Sequence, residues 1–143
     1  MGRVINPDTG GRQRLFLSRN ILHACRMSTA NNLSMDELRD MAAFVYYSLI
    51  AIDRSVNVTV TAWERRDFWV KADKFRHEWT WALKYITRIN EAIDSGDWTR
   101  IRHSFLELQS QLVGINLSSN NRLGRPWVGA WDKYIKTKNS RRD

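Results

Sequence analysis

Four basic residues recur along residues 12–26 at helical spacing. They are Arg12, Arg19, His23 and Arg26. At 100° per residue they fall within about 60° of one another, opposite the apolar side of a helix, with Phe16 beside them. Guanidinium groups bind phosphates and an aromatic ring stacks on a base, so this stripe predicts a nucleic-acid-binding surface. The alternative is a solvated helix face whose arginines pair with neighbouring carboxylates.

A second set of residues interleaves cations with aromatic rings. Its members are Lys74, His77, Trp81, Tyr85 and Arg88. On a continuous helix they cluster within about 40° of Trp81. This interleaving is typical of a platform on which bases stack, and the set is predicted to bind nucleic acid. The alternative is a second packing face that covers the first helix or the segment around Trp127 and Trp131.

The charge of the chain is concentrated in two stretches. Residues 1–26 carry five Arg against one Asp, and residues 122–143 carry seven Lys or Arg against two Asp, whereas the intervening residues are nearly neutral. This distribution predicts an anionic partner. The basic residues of the second stretch that join the predicted nucleic-acid-binding set are Arg122, Arg125, Lys133 and Lys136. Its aromatic residues recur at i, i+4 and i+7 and are predicted to contact a protein partner; they are Trp127, Trp131 and Tyr134.

Catalytic chemistry is not indicated. The carboxylate–histidine pairs Asp73/His77 and His103/Glu107 lack the Glu-x-x-His spacing of di-metal bundles, and they are interpreted as surface ion pairs. Cys25 lies among apolar residues and is predicted to belong to the core. No glycine-rich phosphate loop follows a strand. We therefore expect no enzyme activity, no metal and no cofactor.

Apolar residues that alternate steps of three and four predict the elements that position these side chains. Such spacing runs through residues 38–63, 68–93 and 98–115, and another helix is predicted over residues 12–29. Residues 56–62 also alternate like a strand, but no second strand-like run exists, so helix is favoured. Short connections then predict an all-α fold, an antiparallel four-helix bundle.

The ends of the helices and of the bundle can also be predicted. A capping box of Ser34 and Glu37 begins one helix, Gly96 ends another, and Asp97 caps the next. Residues 1–11 are an N-terminal arm, with Gly10 and Gly11 as the break before the first helix. The bundle occupies residues 12–117. Residues 118–143 are a loop, a short Trp-rich helix with a proline near its first turn, and a basic tail that is disordered from residue 136.

Three functions are compatible with these patterns. The leading hypothesis is a non-enzymatic accessory subunit that binds RNA or DNA, single-stranded or structured, within a larger nucleoprotein assembly. In size, charge and fold class the chain resembles the small helical subunits of CRISPR effector complexes and the accessory bundles of retroelement reverse transcriptases, although no residue roles follow from this. The alternatives are an adaptor that docks an acidic protein through Trp and Tyr hot spots, and attachment to an anionic membrane through residues 127–136.

The surroundings of the protein can be predicted as well. A single cysteine fits a reducing compartment, and the longest apolar stretch, residues 41–52, is too short to span a bilayer, so a cytoplasmic location without a transmembrane segment is expected. Seven Trp in 143 residues are too many to be fully buried. Because exposed aromatic side chains need cover, we also expect protein subunits as partners and an oligomeric state.

Overall fold

The described part of the chain is all-helical, as predicted. The computed structural model describes residues 7–29, 33–117 and 123–142. Within these ranges the helices are α1 (Pro7–Met27), α2 (Met35–Arg65), α3 (Trp69–Glu78), α4 (Thr80–Ser95), α5 (Trp98–Gln111) and α6 (Ala130–Arg142), and there is no strand. Residues 56–62 lie inside α2, which confirms the preference for helix over strand.

The core surrounds α2. This helix contacts α1, α3, α4 and α6, while α5 packs on α1 and α4. The largest fully buried side chains come from α1, α2, α4, α5 and the turn before α6, and they include Ile21, Met41, Ile52, Ile89, Phe105 and Trp127. Within the described residues, no helix has the length and apolarity needed to cross a membrane.

The predicted helix ends are confirmed. The backbone N–H of Glu37 donates to the Ser34 hydroxyl at 3.1 Å, which satisfies a free donor at the start of α2. Gly96 ends α4 in the left-handed conformation, with φ of 69°. The Asp97 carboxylate then accepts from the N–H of Arg100 at 3.0 Å and caps α5.

The predicted break at Gly10 and Gly11 is wrong, because both residues lie inside α1. Glycine in a helix costs about 1 kcal/mol relative to alanine, so a compensating contact is expected. At Gly10 that contact is visible: a Cβ atom would lie 3.2 Å from Nη1 of Arg14. The missing side chain therefore makes room for the Arg14 guanidinium.

The predicted helix over residues 68–93 is divided at Trp79. The backbone there leaves helical geometry, with φ of −109° and ψ of 7°. The Thr80 hydroxyl donates to the Arg76 carbonyl oxygen at 3.0 Å, a type of contact that bends helices. The prediction that residues 74–88 share one continuous face is consequently wrong, because they are split between α3 and α4.

The predicted disorder of the tail is also wrong, because α6 continues to Arg142 and begins at Ala130 rather than near Pro126. Contacts with the bundle explain this order. The N–H of Trp131 donates to Asp40 Oδ1 at 2.9 Å, and the Tyr134 hydroxyl donates to Asn90 Oδ1 at 3.2 Å. Lys138 forms an ion pair with Asp94. These bonds hold a helix that a basic sequence alone would not stabilise.

Candidate nucleic-acid interface

Helix α1 is open to solvent mainly along its N-terminal half. Residues 20–25 are all buried, because α2, α5 and the segment 123–129 surround this part of the helix. Four members of the predicted stripe remain exposed and define what we call the α1 face: Arg12, Phe16, Arg19 and Arg26. Phe16 is 59% exposed, so its ring is accessible from solvent.

Among the side chains that the structure describes, which are those of residues 10–29, 33–117 and 123–140, the three arginines of the α1 face have no carboxylate within ion-pairing distance. The side chain of Asp8, four positions before Arg12, lies outside them. The ion pairs found in these ranges lie elsewhere, and they are Arg39–Asp36, Arg76–Glu64, Arg76–Asp73, Arg88–Glu107, Arg125–Glu37 and Lys138–Asp94. With a rise of 1.5 Å per residue, Arg12, Arg19 and Arg26 are spaced about 10.5 Å apart along the helix. The α1 face is therefore a row of cations with an exposed ring inside it.

His23 does not belong to this row, and its predicted position on the exposed stripe is wrong. Its side chain is buried, and Nε2–H donates to the carbonyl oxygen of Gly124 at 2.8 Å. The imidazole also packs on Trp127, with 5.4 Å between the ring centroids. His23 thus attaches the segment before α6 to α1 between Arg19 and Arg26, which both remain exposed.

Arg14 orients the α1 face, a role that the helical spacing of the basic residues does not predict. Its side chain is only 7% exposed. Nη1 donates to the hydroxyls of Ser55 at 2.8 Å and Thr59 at 3.3 Å. Cζ lies 4.9 Å from the centre of the Phe75 ring and 5.8 Å from that of Trp79. Burial lowers the pKa of this guanidinium from its ordinary value.

These contacts attach the N-terminal half of α1 to α2 and α3 on the side opposite the exposed arginines. The sequence offers one signal of this arrangement, which is Gly10 one turn before Arg14. A glycine inside a helix one turn from a long side chain indicates that the side chain lies along the helix.

The predicted stacking platform on the second set is wrong, because Tyr85 is buried, Trp81 is half-buried and the set is divided between α3 and α4. Tyr85 is buried, and its hydroxyl donates to Glu107 Oε2 at 3.0 Å. Arg88 Nη1 lies 2.6 Å from the same carboxylate oxygen. The cationic groups of Lys84 and Arg88 both lie over the Tyr85 ring, at 5.6 and 5.7 Å from its centre.

The other members of this set are separated. Trp81 is half-buried and packs on Trp79, with 5.7 Å between the ring centroids. Lys74 and His77 are exposed, but they lie on α3. Burial, followed by the bond to Glu107, raises the pKa of Tyr85. The alternative interpretation of this set as a packing face is therefore the one that the contacts support.

The C-terminal cations are partly engaged within the chain. Arg125 Nη1 lies 3.7 Å from Glu37 Oε1, and Lys133 Nζ lies 5.2 Å from the centre of the Tyr47 ring. Lys136 is exposed on α6. Arg122, the remaining predicted residue, lies outside the described residues.

The predicted protein interface at Trp127, Trp131 and Tyr134 lies mostly in the core. Trp127 is fully buried and Tyr134 is buried to a similar degree. Trp131 is half-buried, stacked on Tyr134 and in edge contact with Trp98. The predicted protein interface is wrong at Trp127 and Tyr134, because Trp127 packs on His23 and Phe44 and Tyr134 packs on Tyr46 of α2.

The described residues contain no group of three His, Cys, Asp or Glu side chains placed to hold a metal ion. Cys25 is buried, as predicted, and burial raises the pKa of its thiol. No protein-family model, curated protein or solved structure matches this chain.

Proposed function

We propose that this chain is a non-enzymatic accessory subunit that binds single-stranded RNA or DNA through the α1 face within a larger assembly. The observation that carries the proposal is the row formed by Arg12, Arg19 and Arg26, none of which meets a carboxylate among the described side chains. Like charges aligned on one surface repel unless an anion offsets them. A phosphate backbone supplies repeated negative charge along a line.

Phe16 supports a single strand as the ligand. Its ring is exposed between Arg12 and Arg19 on the same side of α1. An unpaired base can stack on such a ring while neighbouring phosphates meet the guanidinium groups, whereas the bases of a duplex are already stacked on one another. Since phosphates and stacking carry little sequence information, the expected binding is weakly sequence-dependent.

The helix contacts support the antiparallel four-helix arrangement that would present this face. Arg14, near the start of α1, meets Thr59, near the end of α2. Tyr85 and Arg88 of α4 meet Glu107 of α5 across the turn at Gly96. The pairs α1–α2, α2–α4, α4–α5 and α5–α1 close a ring of four packed helices, with α3 and α6 added to α2.

The test is a titration of fluorescently labelled RNA and DNA oligonucleotides, single-stranded and duplex, at several salt concentrations. The double variant Arg19→Glu with Arg26→Glu removes two phosphate contacts. The slope of the logarithm of the binding constant against log salt should therefore become less negative by about 1.4 to 1.8. Phe16→Ala should weaken single-strand binding by ~1–3 kcal/mol with little effect on duplex binding.

Arg65→Glu with Arg66→Glu is the matched control, because both side chains are exposed at the end of α2 and the charge change is the same. It should retain the wild-type slope. Equal weakening by the two double variants would show general attraction to a basic protein rather than a site. Binding that survives Arg19→Glu with Arg26→Glu unchanged would remove the α1 face from the interaction.

A further inference from the structure

Three consecutive apolar side chains are exposed where α2 turns into α3. Phe68 is 50% exposed, Trp69 is 55% exposed and Val70 is 84% exposed. We call residues 65–71 together with Lys74 the α2–α3 corner. Elsewhere in the described ranges the exposed large apolar side chains occur singly or, on α1, as the pair Leu15 and Phe16. A cluster of this kind on a folded surface indicates a contact with another molecule.

The corner is held rigidly by the backbone. Asp67 adopts φ of 63°, a left-handed conformation that is uncommon for a residue other than glycine. The N–H of Phe68 donates to the Trp63 carbonyl oxygen at 2.9 Å and closes the turn. Ala72 is fully buried and fixes the first turn of α3 against the core. The three apolar side chains are therefore presented on an ordered backbone.

Side-chain contacts brace the same corner from behind. Arg76 bridges the two elements, because Nη2 lies 3.1 Å from Glu64 Oε2 and Nη1 lies 2.7 Å from Asp73 Oδ1. The rings of Trp63 and Phe75 meet edge to face at 5.0 Å. Anchors that are ordered before binding lose less conformational entropy when a partner docks.

The rim of the corner is cationic. Its basic residues are all exposed, and they are Arg65, Arg66, Lys71 and Lys74. None of them has a carboxylate partner within the described ranges, since Glu64 and Asp73 are bound by Arg76. Asp67 is the acidic residue of the corner itself. An apolar centre with a cationic rim is complementary to an apolar pocket bordered by carboxylates.

We infer that the α2–α3 corner docks an acidic protein, which receives Trp69 and Val70 in an apolar pocket and pairs its carboxylates with the basic rim. A tryptophan at the centre of a patch flanked by arginines is the composition of an interface hot spot. The surface lies on different elements from the α1 face. It therefore extends the proposed function from nucleic-acid binding to assembly with a protein.

An anionic membrane fits the corner less well. The Asp67 carboxylate directly precedes the apolar residues, and insertion of Phe68 and Trp69 into lipid would bring this charge to a negatively charged surface. Helix α3 also carries charged residues around its circumference, whereas interfacial helices bury a continuous apolar side. A protein partner can place a hydrogen-bond donor opposite Asp67, which a lipid surface does not offer at a fixed position.

The experiment begins with photo-crosslinking in cells that naturally make the protein. The amino acid p-benzoylphenylalanine replaces Trp69, and in a control strain it replaces Leu83, which has similar exposure on α4. The protein crosslinked from position 69 but not from position 83 is identified, purified and titrated against the full chain. Trp69→Ser should weaken its binding by at least about 30-fold, and Leu83→Ser should leave it unchanged.

Charge is tested on both sides of the interface. Arg65→Glu with Arg66→Glu should weaken binding of the purified partner, and Glu→Lys changes at the crosslinked site of that partner should restore it. Nucleic-acid binding by these corner variants should match that of the wild type, which separates this test from that of the α1 face. Circular dichroism confirms that each variant is folded.

Several results would overturn the inference. The first is the absence of a specific crosslinked protein, and the second is a crosslink to a second copy of this chain. The third is a crosslinked partner whose affinity is unchanged by both Trp69→Ser and the arginine substitutions. Flotation of the wild type, but not of Trp69→Ser, with vesicles that contain phosphatidylserine would assign the corner to a membrane instead. Loss of single-strand binding in Trp69→Ser, which keeps the charge of the corner, would assign the corner to nucleic acid.

Discussion

Arg14→Ala should destabilise the protein by about 2–4 kcal/mol. The change removes two hydrogen bonds from a charged donor, to Ser55 and Thr59, each contributing ~1.5–3 kcal/mol. It also removes the contact with the Phe75 ring, which contributes ~2 kcal/mol when desolvated. Against this, the alanine variant no longer buries a cation, which recovers several kcal/mol. The net loss is measured by urea unfolding followed by the helical circular dichroism signal.

Two further substitutions separate the contributions at this position. Arg14→Met fills the same space without a charge, so its stability should lie within about 1 kcal/mol of the wild type. Arg14→Lys keeps the charge but loses the planar fork, so it should be less stable than Arg14→Met. Arg12→Ala is the control, since an exposed side chain two residues earlier should contribute less than about 0.5 kcal/mol. A free energy of unfolding for Arg14→Ala equal to that of Arg12→Ala would refute the reasoning.

Two other predictions concern buried titratable groups. Cys25 is fully buried, and burial raises the pKa of its thiol. A thiol reagent should therefore label it only as the protein unfolds in urea. Rapid labelling of the native state would contradict its burial. Burial, with the neighbouring Tyr46 and Tyr47, raises the pKa of Tyr134. The unfolded state therefore loses this proton first, and the stability from Tyr134 is present below about pH 10 and is lost as the pH rises above it. The free energy of unfolding of Tyr134→Phe should therefore decrease less than that of the wild type between neutral and strongly alkaline pH. An identical pH dependence of the two proteins would exclude Tyr134 as the group that titrates.

The helices were predictable because apolar burial dictates their periodicity. Steps of three and four placed α2 and α5 within a few residues of their observed bounds, even across the strand-like residues 56–62. The same periodicity did not reveal the division at Trp79. Two successive helices can keep their apolar sides toward one core, so the spacing fits one helix as well as two. The division lies in the backbone conformation of Trp79, which a hydrophobic pattern does not report.

The composition of the candidate site was harder to predict than the helices. A helical wheel assumes one buried side, whereas α1 is buried on one side near Arg14 and on all sides near His23. The burial of His23 depends on a segment about a hundred positions later, and the burial of Tyr85 depends on Glu107 of the next helix. Arg12, Phe16 and Arg19 agree with the helical wheel because no later segment covers them within the part of the chain that the structure describes. The neighbours that enclose a helix are determined by tertiary packing, which the periodicity of one sequence does not predict.

The bond between His23 and Gly124 has a consequence for synthesis of the protein in the cell. The two residues are 101 positions apart, so at about 5–20 residues per second a ribosome needs roughly 5–20 s to make the second after the first. From the synthesis of Phe44 until that of Trp127, the site that Trp127 fills beside His23 and Phe44 lacks its tryptophan on the nascent chain. Slow codons between these positions should therefore lower the yield of folded protein through aggregation, while the stability of the completed fold stays the same.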